Sequence, residues 1–434
     1  MRGSDTSLST AAAWQKLNDA LELSARLAAG DAAVLVTATQ IKAITGREPR
    51  LMTKFDTREG RPSTLAQATL LPVSNGTYAI LPGDGYANVP PSRRARSWSV
   101  PPDAKNLGTL PWAAGPSSES QAIDMAAASG ILTDFLCDAA RLTIRGRLRS
   151  PRFDFAFACP RATVSLAVEG VQIEVDSGYE GEHVHLLEAK LGTRTNFHVR
   201  QLFYPFRMWQ TLLPKQKVQT VFLSWHNRCL QLRRFSFEDP LQYQGLLCTG
   251  AVDYYVDEPA PVPTLAEVLA SSCVSPAPDD APFPQADDLR RVIDVVDAVA
   301  SDVSTQSGIA ARYEFAPRQA HYYGAAGVFL GLLQRNGRRF SLTALGRDFT
   351  CSPLSERLAI VLVQMASRPV LRQALEAAQA SGGLPSQELV TELITQLTGL
   401  SGQTPRRRAR TVLSWTKWAL QVTASGSGLP LDTA

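Results

Sequence analysis

The stretch Val171-Gln172-Ile173-Glu174-Val175-Asp176-Ser177-Gly178-Tyr179-Glu180-Gly181-Glu182-His183-Val184-His185-Leu186-Leu187-Glu188-Ala189-Lys190 decides how the chain is read. Val171, Ile173 and Val175 alternate with Gln172, Glu174 and Asp176, the period-two pattern of a strand with one apolar face. Ser177, Gly178 and Gly181 supply turn chemistry, and Val184 to Lys190 reads as the returning strand. Alternation puts Glu174 and Asp176 on one face of the first strand, and Leu186, Glu188 and Lys190 on one face of the second. Paired as a hairpin, the two strands bring Asp176 and Glu188 onto one divalent cation with Lys190 beside it. Mg²⁺ takes a few carboxylates, retained waters and substrate phosphate oxygens. Held there, it polarises a phosphoryl oxygen and lowers the pKa of a bound water. Lys190 would then orient or deprotonate that water and offset charge building on phosphorus.

Elements on either side extend the pattern. Glu119 to Leu136 has helical spacing (Ile123, Ala126, Ala127, Ile131, Phe135), with Ser117 and Ser118 as candidate caps. Phe153, Phe155 and Phe157 alternate with Arg152, Asp154 and Ala156 as a strand. A helix from about Phe197 to Leu213 and strands Val218 to Trp225 and Leu230 to Phe237 follow. The order α-β-β-β-α-β-β predicts a mixed α/β fold, a small mixed sheet flanked by helices. On the second helix Gln201 and Tyr204 share a face, and Arg200 and Arg207 suit bidentate phosphate contact. The same pattern fits an amphipathic helix whose aromatic side (Phe203, Phe206, Trp209) is core, and Pro205 leaves its register open.

An Asp followed by Glu-x-Lys after a hairpin resembles the signature of the PD-(D/E)XK nuclease superfamily, and the element order resembles its core. Val175 stands where the family often has proline. Longer strings resemble bacterial type II restriction endonucleases: Glu48 to Asp56, Leu71 to Tyr78, Ser118 to Ala122, Gln172 to Glu180 with Glu188-Ala189-Lys190, and Arg200 to Arg207. Tyr322 to Leu333 with Ser341 to Gly346 is similar to the winged-helix segment of that group. The resemblance implies a restriction-endonuclease-like core that cleaves double-stranded DNA at a specific sequence with Mg²⁺. Asp176 and Glu188 would hold the metal, Glu119 would add a ligand, Lys190 would assist the water, and Gln201 would help position the strand. It also implies a cognate DNA methyltransferase acting on the same site. Cutting both strands needs two active centres, so a homodimer on DNA is expected.

The remaining acids and histidines have plainer readings beside the functional one. Glu119 equally suits the first turn of a helix through its dipole, and Glu174 and Glu180 suit a solvated hairpin. Of His183, His185 and His198, His185 shares the face of Leu187 and Ala189 rather than that of Glu188 and His198 lies on a different element, so a histidine metal site is not expected. In the C-terminal part Leu289, Val292, Ile293, Val296 and Val299 form a packing stripe. Thr404-Pro405 opens a helix whose first turn carries Arg406, Arg407 and Arg408. Arginines there oppose the helix dipole, which points to an external anion such as DNA phosphate, or else to a solvated basic face. Further basic runs lie at Lys42 to Lys54, Arg93 to Arg96 and Arg145 to Arg152.

Bulk composition bounds these readings. At 434 residues, two or three domains are expected. The blocks are an N-terminal α+β region (1–112), the nuclease-like core (113–257), a Pro/Asp-rich linker (258–285), a helical winged-helix-like domain (286–423) and a disordered tail (424–434). Six cysteines carry no Cys-x-x-Cys pair, which argues against zinc and disulfide frameworks. With no apolar run long enough for a membrane and no secretion signal, a cytoplasmic protein is expected.

Overall fold

A computed structural model describes residues 9–257, 260–278 and 281–424. It begins with α1 (Thr10–Leu21), α2 (Leu23–Ala29), β1 (Val34–Thr37), α3 (Ala38–Thr45), β2 (Ala68–Ser74) and β3 (Thr77–Pro82). Ser9 caps α1, and α3 has a complete capping box between Thr37 and Gln40. The three strands form a sheet in the order β1-β3-β2. Trp14, Leu17, Val36, Ile41 and Ile80 pack between sheet and helices as a small separate core.

The chain then passes through β4 (Tyr86–Asn88), β5 (Ala95–Ser97) and α4 (Pro102–Lys105). Next come α5 (Glu119–Ala128), α6 (Ile131–Leu136), β6 (Arg141–Arg149), β7 (Phe153–Ala158) and β8 (Thr163–Val168). They lead to β9 (Gln172–Glu180), β10 (Val184–Leu191), β11 (Asn196–His198), α7 (Arg200–Leu212), β12 (Val218–His226), β13 (Cys229–Phe237) and β14 (Leu246–Tyr255). The fold is mixed α/β. Its main sheet has seven strands in the order β5-β14-β13-β12-β10-β9-β6. The β10–β12 and β14–β5 pairs are parallel and the others antiparallel. A parallel neighbour needs a crossover, and α7 supplies it between β10 and β12.

Several local expectations change. The helix expected over Glu119 to Leu136 is two helices, because Gly130 adopts φ 80 and starts α6 afresh. The strand at Phe153 belongs to a separate β7–β8 hairpin, which packs Phe155 on Phe203 and Tyr243. The strand beside β9 at the sheet edge is instead β6, whose arginines hid the alternation. The segment Ser177–Glu180 is strand rather than turn, and residues 181–183 make the reversal. The boundary at 112 also cuts across the structure: β4 pairs with β11, and β5 closes one edge of the main sheet.

The C-terminal part holds α8 (Leu265–Ser271), α9 (Leu289–Ala300), α10 (Gln306–Tyr313), α11 (Pro317–Phe329), β15 (Leu333–Asn336) and β16 (Arg339–Leu342). After these come α12 (Ala344–Cys351), α13 (Leu354–Ala366), α14 (Pro369–Ser381), α15 (Gln387–Thr398) and α16 (Thr404–Ala424). Within the expected linker, α8 buries Val268 fully, and Arg372 donates to the carbonyls of Leu269 and Ser272. That part of 258–285 is therefore a packed element rather than a spacer. The expected tail lies outside the described residues except for Ala424, which ends α16.

The apolar core of these helices runs without a break into the face of the main sheet covered by α5 and α6. The opposite face carries α7 and the β7–β8 hairpin. At the junction, Asp294 of α9 joins three elements. Its Oδ1 meets His226 Nδ1 at 2.6 Å, and its Oδ2 accepts Thr193 N–H at 2.7 Å. Its carbonyl accepts the Tyr313 hydroxyl at 2.5 Å. Among the described residues no helix is long and apolar enough to cross a membrane.

Candidate active site

The β9–β10 ladder runs from the Val184–Glu180 pair to the Leu187–Ser177 pair and stops there. Beyond that point β10 remains paired with β12 as far as Leu191. The Asp176 side chain takes over where the ladder ends, its Oδ2 accepting the Ala189 N–H at 2.8 Å. A bulge makes this possible. While β6 advances from Ile144 to Gly146, its partners on β9 run from Gly178 to Val175, one residue more. The extra residue bends the strand and re-aims the side chain at that position.

Glu188 and Lys190 stand on the next strand as a buried pair. Lys190 Nζ donates to Glu188 Oε1 at 2.6 Å, and their side chains are 7% and 11% exposed. Gln201 Nε2, from the first turn of α7, donates to the same oxygen at 2.5 Å. Glu119, at the start of α5, approaches Lys190 Nζ at 3.4 Å. All five residues, with Arg200, line one open cleft of about 680 Å³. The geometry therefore brings together Asp176, Glu188, Lys190, Gln201, Glu119 and Arg200.

Burial dominates the electrostatics of this cluster. Burial raises the Asp176 carboxyl above its ordinary range, and Lys190 only partly opposes this. Burial also pushes Glu188 up, with Lys190 opposing and Asp176 adding, to about 8. For Lys190 burial pulls the other way, but Glu188, Glu119, Asp56 and Asp176 outweigh it and hold the ammonium well above its usual range. Lys190 is thus held as a cation, suited to orienting a water and balancing charge. Gln201 Oε1 is buried and accepts no hydrogen bond. Carboxylates pressed towards neutrality beside an unpartnered amide oxygen are the hard donor set that suits a divalent cation. Among the described residues, no three His, Cys, Asp or Glu side chains stand grouped to hold a metal ion.

The other expected residues are committed to other contacts. Arg207 is buried off the cleft and donates to the carbonyl of Asp154 at 3.1 Å, so it secures the β7–β8 hairpin rather than facing a substrate strand. Arg406, Arg407 and Arg408 open α16, and Arg408 donates to Gln285 Oε1 at 2.8 Å. None of the three lines the cleft. The Tyr204 hydroxyl donates to the carbonyl of Pro72, tying α7 to β2. Glu174 is exposed and pairs with Arg147 at 3.3 Å. His185 is held by Asp138 at 3.0 Å. His198 accepts the Arg200 N–H and meets the Tyr243 hydroxyl. Burial, then Arg200, depress His198 to about 3.

One contributor was not singled out in the sequence. Asp56 comes from the N-terminal part and is 3% exposed at the cleft. Neither of its carboxylate oxygens has a hydrogen-bond partner, and Lys54 Nζ and Arg200 Nη2 stand 3.5 and 3.7 Å away. Burial pushes its carboxyl up, but Lys190, Arg200 and Lys54 prevail and keep it ionised. The His198 N–H donates to the Asp56 carbonyl at 2.9 Å and pins the segment. Asp56 lies in irregular chain, where no periodicity marks a face.

Three stretches of the chain match known families, each described as a domain of unknown function. Residues 11–80 match DUF6996, residues 82–255 match DUF6997 and residues 291–424 match DUF7226. No curated protein and no solved structure matches the chain.

Proposed function

We propose that the protein is a Mg²⁺-dependent endonuclease acting on double-stranded DNA. The observation that carries this reading is the meeting of Asp176 with the buried Glu188–Lys190 pair where β9 parts from β10, in an open cleft. Asp176 and Glu188 would hold the metal, with Gln201 Oε1 and Glu119 close by. When bound, the ion supplies Lewis acidity towards a phosphoryl oxygen and a more acidic water.

The chain's own groups do the rest. Lys190, kept as an ammonium by its acidic surroundings, orients the attacking water and offsets the charge that builds on the phosphoryl oxygens. Gln201 fixes the Glu188 carboxylate through its amide N–H. Arg200 faces the cleft and offers a fork-shaped donor to a phosphate. Asp176 is itself fixed by Ala189, so its free oxygen is pre-aimed without reorganisation.

Site-specific cleavage, action as a homodimer and pairing with a cognate methyltransferase form the finer part of the proposal and rest on the resemblance in sequence. The order α9-α10-α11-β15-β16, with Thr305 bridged to Arg339, supports a winged-helix reading of the C-terminal part and a second contact with duplex DNA. Incubation of a mixed-sequence plasmid with the protein and Mg²⁺ tests the whole. Discrete reproducible fragments support restriction, and nicking or smearing supports a nuclease without sequence preference. Binding without any cutting, at every metal concentration tried, sinks the enzyme reading.

A further inference from the structure

The free edge of the main sheet is basic and runs straight into the cleft. β6 is the outermost strand on that side, and Arg141, Arg145, Arg147 and Arg149 along it are all exposed. Its register sets Arg147 opposite Glu174 and Arg149 opposite Gln172. Side chains opposite each other in an antiparallel pair project from the same face. Gln172, Glu174 and Arg147 line the same cleft as Asp176.

Two of these arginines have acidic neighbours. Arg145 meets Asp124 at 2.5 Å and Arg147 meets Glu174 at 3.3 Å, in pairs with every side chain 40% exposed or more. Such pairs are weak and salt-screened, so they yield to a stronger anion.

We infer that β6 is a track for the sugar-phosphate backbone of duplex DNA, with Arg145, Arg147 and Arg149 each contacting a phosphate beside the one to be cleaved. The inference rests on the nuclease reading for its substrate class. It extends that reading to residues on a different element from the catalytic acids. Same-face side chains on a strand recur every ~6.6 Å, so a row of guanidinium groups faces a row of phosphates with little rearrangement. A regularly charged partner fits this edge because Arg145, Arg147 and Arg149 recur at alternate positions along β6 and are all exposed. The competing account is that edge charge only blocks pairing with another sheet. Glutamates would serve that purpose equally well.

The test is binding of a fluorescent DNA duplex in metal-free buffer across a salt series, for the wild type, the triple variant R145E/R147E/R149E, the triple alanine variant and the triple lysine variant. Each phosphate contact adds about 0.9 to the steepness of log K against log salt. The alanine and glutamate variants are expected to lower that slope by roughly 2 to 3 units and to weaken binding at least tenfold at low salt. The lysine variant is expected to keep most of the slope. If the alanine variant is folded by circular dichroism and binds with the wild-type slope, the track is wrong while the nuclease reading stands. If the wild type does not bind duplex DNA at any salt concentration, the nuclease reading fails and the track with it.

Discussion

Asp176 Oδ2 accepts the backbone N–H of Ala189 across the gap where β9 and β10 separate, so one residue both closes a strand and lines the cleft. The two duties separate by substitution. Asp176→Asn keeps an acceptor for Ala189 and removes the charge, whereas Asp176→Ala leaves a buried N–H unpaired. Unfolding in urea is expected to show Asp176→Asn at or above wild-type stability and Asp176→Ala lower by about 1–3 kcal/mol. Both are expected to lose DNA cleavage while retaining duplex binding. Normal cutting by either variant would remove Asp176 from the site.

Lys190 is the positive centre among four carboxylates, and its loss leaves them facing one another. Lys190→Met keeps much of the side-chain volume without the charge. Cleavage is expected to fall by a factor of roughly 10² or more. Removal of one partner from a buried ion pair ordinarily costs about 3–5 kcal/mol. Glu188 is already close to neutral, however, so the cost here is expected to be smaller and to grow with pH. Chemical denaturation at pH 6 and pH 9 checks the trend, and an equal loss at both values would contradict it.

A cation bound only by the folded protein stabilises it. At ten times its dissociation constant, Mg²⁺ is expected to add about 1.4 kcal/mol, read as a rise in thermal midpoint. Glu188→Gln and Asp176→Asn should abolish that rise, and Arg207→Lys should not, since Arg207 lies off the cleft. A Mg²⁺-dependent shift of unchanged size in all three variants would place the ion elsewhere.

His198 gives the fold an acid-sensitive point. Buried, and facing Arg200, it stays neutral in the folded chain down to about pH 3, whereas in the unfolded chain it protonates near pH 6.5. Its contribution is therefore complete above pH 6.5 and is lost as pH falls from there towards 3, at up to about 1.4 kcal/mol per pH unit. Glu188 acts in the opposite sense, its contribution being complete below about 4.5 and lost as pH rises towards 8. His198→Asn retains an acceptor for the Arg200 N–H and cannot titrate. Urea midpoints at pH 7.5, 5.5 and 4.5 are expected to decline less for His198→Asn than for wild type, and parallel curves would contradict this.

Much of the site was legible because its carriers sit on regular elements. Asp176, Glu188 and Lys190 follow a period-two code with apolar partners, and Gln201 follows from the helix directly after them. The bulge that re-aims Asp176 was not legible, since it depends on how β9 meets β6, and Ser177-Gly178 imitates a turn. β6 escaped notice because an exposed edge needs no apolar alternation, and its arginines read as a loose basic run. Asp56 was hidden for a different reason. It reaches the cleft from irregular chain in another part of the molecule, and only tertiary packing determines that position. Arg207 shows the reverse error: its helix was found, but Pro205 obscured the register, and a guanidinium that looked available is spent on the carbonyl of Asp154.

The sheet edge formed by β5 and β14 governs how the molecule assembles. Ser97 Oγ donates to the carbonyl of Asp257, 160 residues further along, and Ser92 Oγ to that of Ala251. During synthesis the short strand Ala95–Ser97 emerges first and has no partner until β14 has left the ribosome. Contacts this far apart in sequence form slowly, because the intervening chain must be ordered before they are rewarded. Until then β14 is an open edge that another copy of the chain can occupy. Docking of the three-residue β5 thus covers an edge of β14 that a neighbouring chain could otherwise pair with.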